Sequence, residues 1–337
     1  MAHASNELLT GLLKNVSRSF YLTLRVLPKS IRPQIGLAYL LARTTDTIAD
    51  TGLVSIERRL ELLQKFSARI SGKNAAPLDF GELARQQGLP AERILLEKCE
   101  AGLALLNHFS ETDRQMIRDV LATIASGQEL DLRRFANASA TRVLALQNET
   151  ELDDYTYRVA GCVGEFWTKM CRAHVFPDAQ LNDEKFIRDG VRFGKGLQLI
   201  NILRDLPTDL RNGRCYLPED ELRSLGLSPA DLLEPANEPK FRPLYNRHLD
   251  MASAHLVAGW NYTNTIPRRR LRIRLACAWP VLIGQKTIAR LRTGKVLDPR
   301  ERIKITRSEV RSILLKTIVA SPFPDRWRKL GVDSKNV

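Results

Sequence analysis

Cysteine is scarce in this chain: five residues in 337, at positions 99, 162, 171, 215 and 277, odd in number and never in C-x-x-C spacing. That excludes a disulfide-framed secreted scaffold and a cysteine-built metal site, and makes a reducing cytoplasm the expected compartment. Long apolar runs are missing too. The longest candidates, near 35–42 and 275–284, fall far short of the roughly 20 residues that cross a bilayer. The N-terminal stretch MAHASNELLTGLLKN lacks the basic and apolar regions of a secretory signal. No G-x-G-x-x-G precedes a helical stretch, which excludes a Rossmann dinucleotide site. No Ser-His-Asp or Cys-His constellation offers a nucleophile. Strand-like alternation is confined to short fragments.

What is there is helical period. Apolar residues recur at three-four spacing over 5–15, 31–50, 55–70, 91–108, 111–135, 149–174, 182–209, 219–225, 243–265, 271–292 and 307–319. The breaks between them are rich in Gly, Pro, Asn and Ser. None is long or polar enough to separate a pair of cores. The expectation is one all-α domain over residues 1–337, with a mobile polar tail from about Ser321.

Charge is lopsided: 52 Lys and Arg against 38 Asp and Glu, a formal net charge of +14, with the excess late in the chain. Residues 268–274 read RRRLRIR, and eight more basic residues fall between 290 and 311. Such a surface suits nucleic acid, anionic lipid or small anions. No recognition helix, zinc finger or aromatic platform accompanies it, so nucleic acid is not the expected partner. Diphosphates and a membrane surface account for the charge as well.

The chain is organised around residues 194–218, GKGLQLINILRDLPTDLRNGRCYLP. Gln198, Asn201, Asp205 and Asp209 are spaced three, four and four apart and stack on one face of a continuous helix. Carboxylates beside Leu197, Leu199, Ile200, Ile202 and Leu203 are costly without a cation. A hard divalent metal on oxygen ligands supplies one; a solvated polar face is the plain alternative. Residues 39–50, YLLARTTDTIAD, repeat the pattern, with Tyr39, Arg43, Asp46 and Asp50 spaced four, three and four apart. Two helices, each with an Asp-x-x-x-Asp pair and a flanking arginine (Arg43, Arg204), can face each other across a cavity and hold Mg2+, or Mn2+ in its place, with a diphosphate. Pro207 predicts a kinked or terminating turn that loosens the alignment of Asp209 with Asp205. Gly213 is the expected left-handed residue of the following turn. Ala160, Gly161 and Gly164 let a neighbouring helix, or a flat hydrocarbon chain, approach the backbone.

Ser17-Arg18-Ser19-Phe20, Tyr39 to Asp50, Tyr155 to Gly164 and Gln198 to Pro218 together resemble, in order, the signature blocks of the squalene/phytoene synthase family, the head-to-head isoprenyl diphosphate synthases. The resemblance covers about residues 15 to 310 and is greatest to bacterial squalene synthases. It implies an isoprenoid-synthase-type helical bundle around a central cavity. The activity implied is Mg2+-dependent condensation of two farnesyl diphosphates to presqualene diphosphate, then reduction to squalene by NADPH. By the same resemblance, Ser17, Arg18, Ser19, Phe20, Tyr39, Arg43, Gln198, Asn201 and Arg214 bind substrate. Asp46, Asp50, Asp205, Asp209 and Asn201 hold metal, and Tyr155 takes part in proton transfer. Ile303-Lys304-Ile305-Thr306-Arg307 resembles a basic stretch of squalene synthases linked to NADPH, with Lys304 and Arg307 suited to its 2′-phosphate. Arg158 stands where squalene synthases of eukaryotic type often carry an aromatic, as in many bacterial members and phytoene synthases. Phytoene or dehydrosqualene synthases, which omit the hydride step, and presqualene diphosphate synthases, which stop halfway, are the neighbouring readings. A non-catalytic isoprenoid-binding protein of the same fold has no physical need of four carboxylates. A cytoplasmic monomer with peripheral contact at the inner membrane face, through its basic surface, is expected.

Overall fold

Four of the main helix starts in the computed structural model, which describes residues 7–16 and 20–331, follow local capping chemistry. The main helices are α1 (Arg32–Asp50), α2 (Ile56–Ile70), α3 (Glu111–Arg134), α4 (Glu149–Thr156), α5 (Cys162–His174), α6 (Asp183–Arg211), α7 (Glu238–Thr265), α8 (Leu271–Thr293), α9 (Arg307–Ala320) and α10 (Pro324–Arg328). Ser55 caps α2, Asn148 caps α4 and Asn182 caps α6, each side chain accepting a hydrogen bond from the amide three residues on. Thr306 and Glu309 form a reciprocal capping box on α9. The fold is all-α, as the helical period requires, but for a pair of short parallel strands, β1 (Leu144–Leu146) and β2 (Arg214–Pro218). All five cysteines are buried and unbridged.

The described residues fall into two compact units. The first runs to Arg133 and includes Phe166–Asp178. In it α1 buries Leu37, Leu40, Leu41 and Ile48 and packs on α2. Buried Asp113 at the start of α3 accepts from Gln34 Nε2 at 3.2 Å and pairs with His174 Nε2 at 2.6 Å.

The second unit takes Arg134–Glu165 and the chain from Ala179 on. Its spine is α6 packed along α7, with α8 against both and α9 on α8. The small residues near 160 meet a neighbouring helix, α6. A Cβ on Gly164 would lie 2.0 Å from the Gly190 carbonyl oxygen, and one on Gly194 2.2 Å from that of Ala160. Gly213 has φ +78°, the left-handed turn residue expected, and its carbonyl accepts from Leu144 N at 2.9 Å to start the strand pair.

Two expectations need correcting. Helix α6 does not end or break at Pro207; it runs on to Arg211. A proline at 207 leaves the Leu203 carbonyl without its helical donor. Tyr245 of α7, fully buried, donates its hydroxyl to that oxygen at 3.0 Å. The helix therefore continues past Pro207, and a side chain 42 residues away satisfies the carbonyl that the missing N–H would have met. Tyr245→Phe should cost about 1–3 kcal/mol of unfolding free energy, the penalty of an unsatisfied buried carbonyl. Adding Pro207→Ala should restore most of it, because alanine at that position brings back the amide. Urea titration of the two variants and their parent checks both values.

The described part of the tail, Ser321 to Gly331, is also better held than its polarity suggests. Trp327 is 2% exposed, stacks on Trp260 at 5.6 Å and donates from Nε1 to Asn264 Oδ1 at 2.9 Å. One large aromatic anchors α10 where the flanking sequence reads as a loose end.

Candidate active site

Helix α1 presents the first acidic column. Asp46 Oδ1 accepts from Gln128 Nε2 at 2.6 Å, and its other oxygen lies 3.6 Å from Arg43 Nη1. Arg43 also binds Glu92, on the short helix Pro90–Glu97, at 2.6 Å. Neither Gln128 nor Glu92 carries a local sequence signal. Burial first, and the nearby Asp50 charge second, push the Asp46 carboxyl up to about 6, against the opposing pull of Arg43 and Gln128. Tyr39 donates its hydroxyl to the Val16 carbonyl at 3.4 Å, so it ties down the backbone just ahead of residues 17–19. Ser17, Arg18 and Ser19 lie outside the described residues, and Phe20 is described only as the first residue of the helix Phe20–Val26.

A raised carboxyl has a sign that can be tested. Protonated Asp46 binds no cation, so metal affinity should fall as pH drops through about 6, and binding above that value should release little proton. Titrating Mn2+ into the protein between pH 5 and pH 8, with the bound ion read by electron paramagnetic resonance, checks this. A flat profile would detach Asp46 from the metal.

Helix α6 presents the second column. Because it continues through Pro207, Gln198, Asn201, Asp205 and Asp209 do share one face. Asn201 is exposed, and its Nδ2 donates to Gln198 Oε1 at 3.4 Å. Arg204 grips Asp205 through Nε at 2.9 Å and Nη2 at 2.5 Å. That bidentate pair, with the Asp209 charge beyond it, holds the Arg204 guanidinium above its usual range. The opposite side of the helix, Leu199, Ile200, Ile202, Leu203, Leu206 and Leu210, is buried.

Strand β2 sets the neighbouring basic and phenolic groups. Tyr216 is buried, stacks on Tyr155 at 4.7 Å and meets Phe135 edge-on at 5.3 Å. The Arg214 guanidinium lies 5.8 Å over the Phe135 ring. Tyr155 and Arg214 are thus held by one aromatic cluster, and neither Phe135 nor Tyr216 is among the site residues expected from sequence. Lys304 and Arg307 are exposed, and their side chains make no hydrogen bond or ion pair among the described residues. They sit on a loop end and on the first turn of α9, held from behind by Arg290, which reaches the Lys304 carbonyl and Glu309.

Among the described residues, no three His, Cys, Asp or Glu side chains converge to cage a metal unaided. The donor chemistry fits Mg2+ all the same, because that ion takes one or two carboxylates and completes its shell with water and phosphate oxygens. Buried Gln128 adds a point in favour: its Oε1 has no partner, beside Asp46.

Comparison with known proteins gives the family and the fold. The family model described as squalene/phytoene synthase matches residues 13–309. A 15-cis-phytoene synthase of Synechocystis is 30% identical over 245 residues, covering 70% of this chain and 62% of that protein. A presqualene diphosphate synthase of Rhodopseudomonas palustris is 28% identical over 305 residues, 88% of this chain and 92% of that one. A bifunctional lycopene cyclase/phytoene synthase of Blakeslea trispora is 31% identical over 63% of this chain; the match spans 32% of that longer protein. Among solved structures, a complex of TcSQS with the ligand E5700 superposes with a TM-score of 0.78 at 19% identity, covering 97% of this chain and 90% of that one. The squalene synthase HpnC of Alicyclobacillus acidocaldarius gives 0.62 at 19% identity, covering 87% and 95%.

Proposed function

Because this chain belongs to the squalene/phytoene synthase family, prenyltransferases that condense prenyl diphosphates head to head, we propose that it is a squalene synthase acting on farnesyl diphosphate. The observation that carries the reading is the unbroken α6 column, with Asp205 and Asp209 on one face and Arg214 on the strand that follows. Asp46 and Asp50 on α1, and Asn201, Asp205 and Asp209 on α6, would be the residues that hold Mg2+. Bound there, the ion would supply Lewis-acid stabilisation of the negative charge on a departing diphosphate. Arg43 and Arg214, with Arg18, complete the neutralisation of the diphosphates, and Ser17, Ser19, Phe20, Tyr39 and Gln198 line their seats. Before substrate arrives, Glu92 and Asp205 keep Arg43 and Arg204 in place. The second farnesyl double bond attacks the cation, and a proton leaves as the cyclopropane closes. A tyrosine near neutrality is a poor base, so Tyr155, its ring fixed on Tyr216, passes that proton to diphosphate. Buried apolar helix faces keep water from the cations.

The second half-reaction needs hydride from NADPH, and exposed Lys304 and Arg307, with no acidic partner among the described residues, are suited to its 2′-phosphate. The presqualene diphosphate synthase relative, matched over nine-tenths of its length, favours a second reading in which the reaction stops at that intermediate. One incubation separates them: purified protein, farnesyl diphosphate and Mg2+, with and without NADPH, products identified by mass. Squalene only with NADPH supports the full synthase; presqualene diphosphate in both tubes supports the half-reaction. Phytoene from geranylgeranyl diphosphate alone would move the activity to carotenoid synthesis. Replacing Lys304 and Arg307 with Ala should raise KM for NADPH about tenfold, the worth of one charge-assisted hydrogen bond, and spare presqualene diphosphate formation. An unchanged KM would make the segment structural.

A further inference from the structure

Helix α9 rests on its neighbours through a narrow stripe, Ile313, Thr317 and Ala320, with Trp279 Nε1 donating to Thr317 Oγ1 at 2.9 Å. Its outer face is apolar as well. Leu315 is 63% exposed, Ile318 50%, Val319 62%, and Phe323, just past the helix, 49%. Three-four spacing puts the first three on one side. A scattered exposed leucine is ordinary, but a clustered set of large apolar side chains marks a binding surface.

The chain passes from this face directly into a basic recess. Pro322, Trp327 and Arg328 line a cavity of about 300 Å³ together with Asn264, Arg268 and Arg274. Arg274 is 7% exposed and pairs with no carboxylate among the described residues. Its Nη2 donates to Asn264 Oδ1 at 3.2 Å, its guanidinium lies 4.5 Å over the Trp327 ring, and its Nε is buried with no partner. No acidic side chain among the described residues lines the cavity. A buried cation with no counter-charge is costly, and an anion relieves it. Arg269, Arg272, Lys316 and Arg326, next in sequence to these residues, are exposed.

We propose that the outer face of α9 and the Arg274 recess form one docking surface for an anionic phospholipid bilayer. Leu315, Ile318, Val319 and Phe323 enter the boundary between headgroups and acyl chains, and a headgroup phosphate seats against Arg268, Arg274 and Arg328. Charge selects this occupant: a second copy of a +14 chain would bring like charge to the same face, whereas an anionic leaflet is complementary. The surface is independent of the reaction assigned above.

The test is co-sedimentation of the full chain with vesicles of phosphatidylcholine, with or without about a third phosphatidylglycerol. The parent should bind the anionic vesicles, release with rising salt and bind the neutral ones far less. Arg268→Gln with Arg328→Gln should weaken binding about twenty-five-fold, about fivefold for each basic residue near the surface. Leu315→Ser with Val319→Ser should weaken it without changing its salt dependence, circular dichroism confirming that each variant is folded. Equal binding by either double variant overturns the proposal. So does failure of the parent to bind anionic vesicles while inorganic pyrophosphate still protects the recess from arginine-directed modification, which would make it a site for a free anion. Patch-dependent dimerisation in light scattering would assign the face to a second copy and overturn it likewise.

Discussion

Asp205→Asn should lower kcat at least about a hundredfold and leave the fold intact, the scale expected when one group stabilising developing charge is lost. The substitution removes the anionic oxygen while preserving size, and a neutral amide is a poor Mg2+ ligand. Little stability is at stake: the Arg204–Asp205 pair is about two-fifths exposed and pairs of that kind contribute under about 1 kcal/mol. Asp46→Asn tests the other column with a sharper signature. Its carboxyl is held up to about 6 against the ordinary 3.8, so the stability its protonated form contributes is lost as pH rises between those values and is absent above about 6. The Asn variant should therefore be no less stable than the parent at pH 8, and yet inactive. Turnover within tenfold of the parent, with unchanged Mn2+ binding, would remove the residue from the metal site.

Gly164→Ala should be among the most damaging single-atom additions in the chain. The new Cβ would sit 2.0 Å from the Gly190 carbonyl oxygen, which is backbone and has no rotamer to yield. The start of α5 and the early turns of α6 must move away from each other, and overpacking of this severity costs about 3 kcal/mol or more. In a chain of 337 residues that is roughly 4 °C in Tm. Gly194→Ala meets the Ala160 oxygen at 2.2 Å and should behave alike. Gly52→Ala, with nothing within 4 Å of the added carbon, is the control that should move Tm little. If all three melt together, the close helix crossing is not what the glycines serve.

What could be read ahead of the structure is what is local. Both acidic columns follow from three-four spacing inside one helix, and caps such as Asn182 and the Thr306–Glu309 box stand within four residues of what they cap. What could not be read are partners brought in by tertiary packing. Glu92 reaches Arg43 across 49 residues, Gln128 reaches Asp46 across 82, and Tyr245 reaches the Leu203 carbonyl across 42. The expected break at Pro207 fails for the same reason. A local rule registers the lost amide and not the hydroxyl that replaces it. Trp327 is similar, since its burial depends on Trp260 and Asn264, far back in the chain.

The two short strands carry a consequence for how this chain acquires its form. Leu144 pairs with Arg214 in parallel, so seventy residues must be looped between them before the first ladder bond closes. Closing a loop of that length forfeits chain entropy ahead of any reward, and parallel pairing is slow for that reason. Helices α4 and α6 lie within the loop and consist of near-neighbour contacts that form quickly. The carboxylates of α6 should thus reach helical register early in folding, and Arg214 and Tyr216 should take their places only when the ribbon zips.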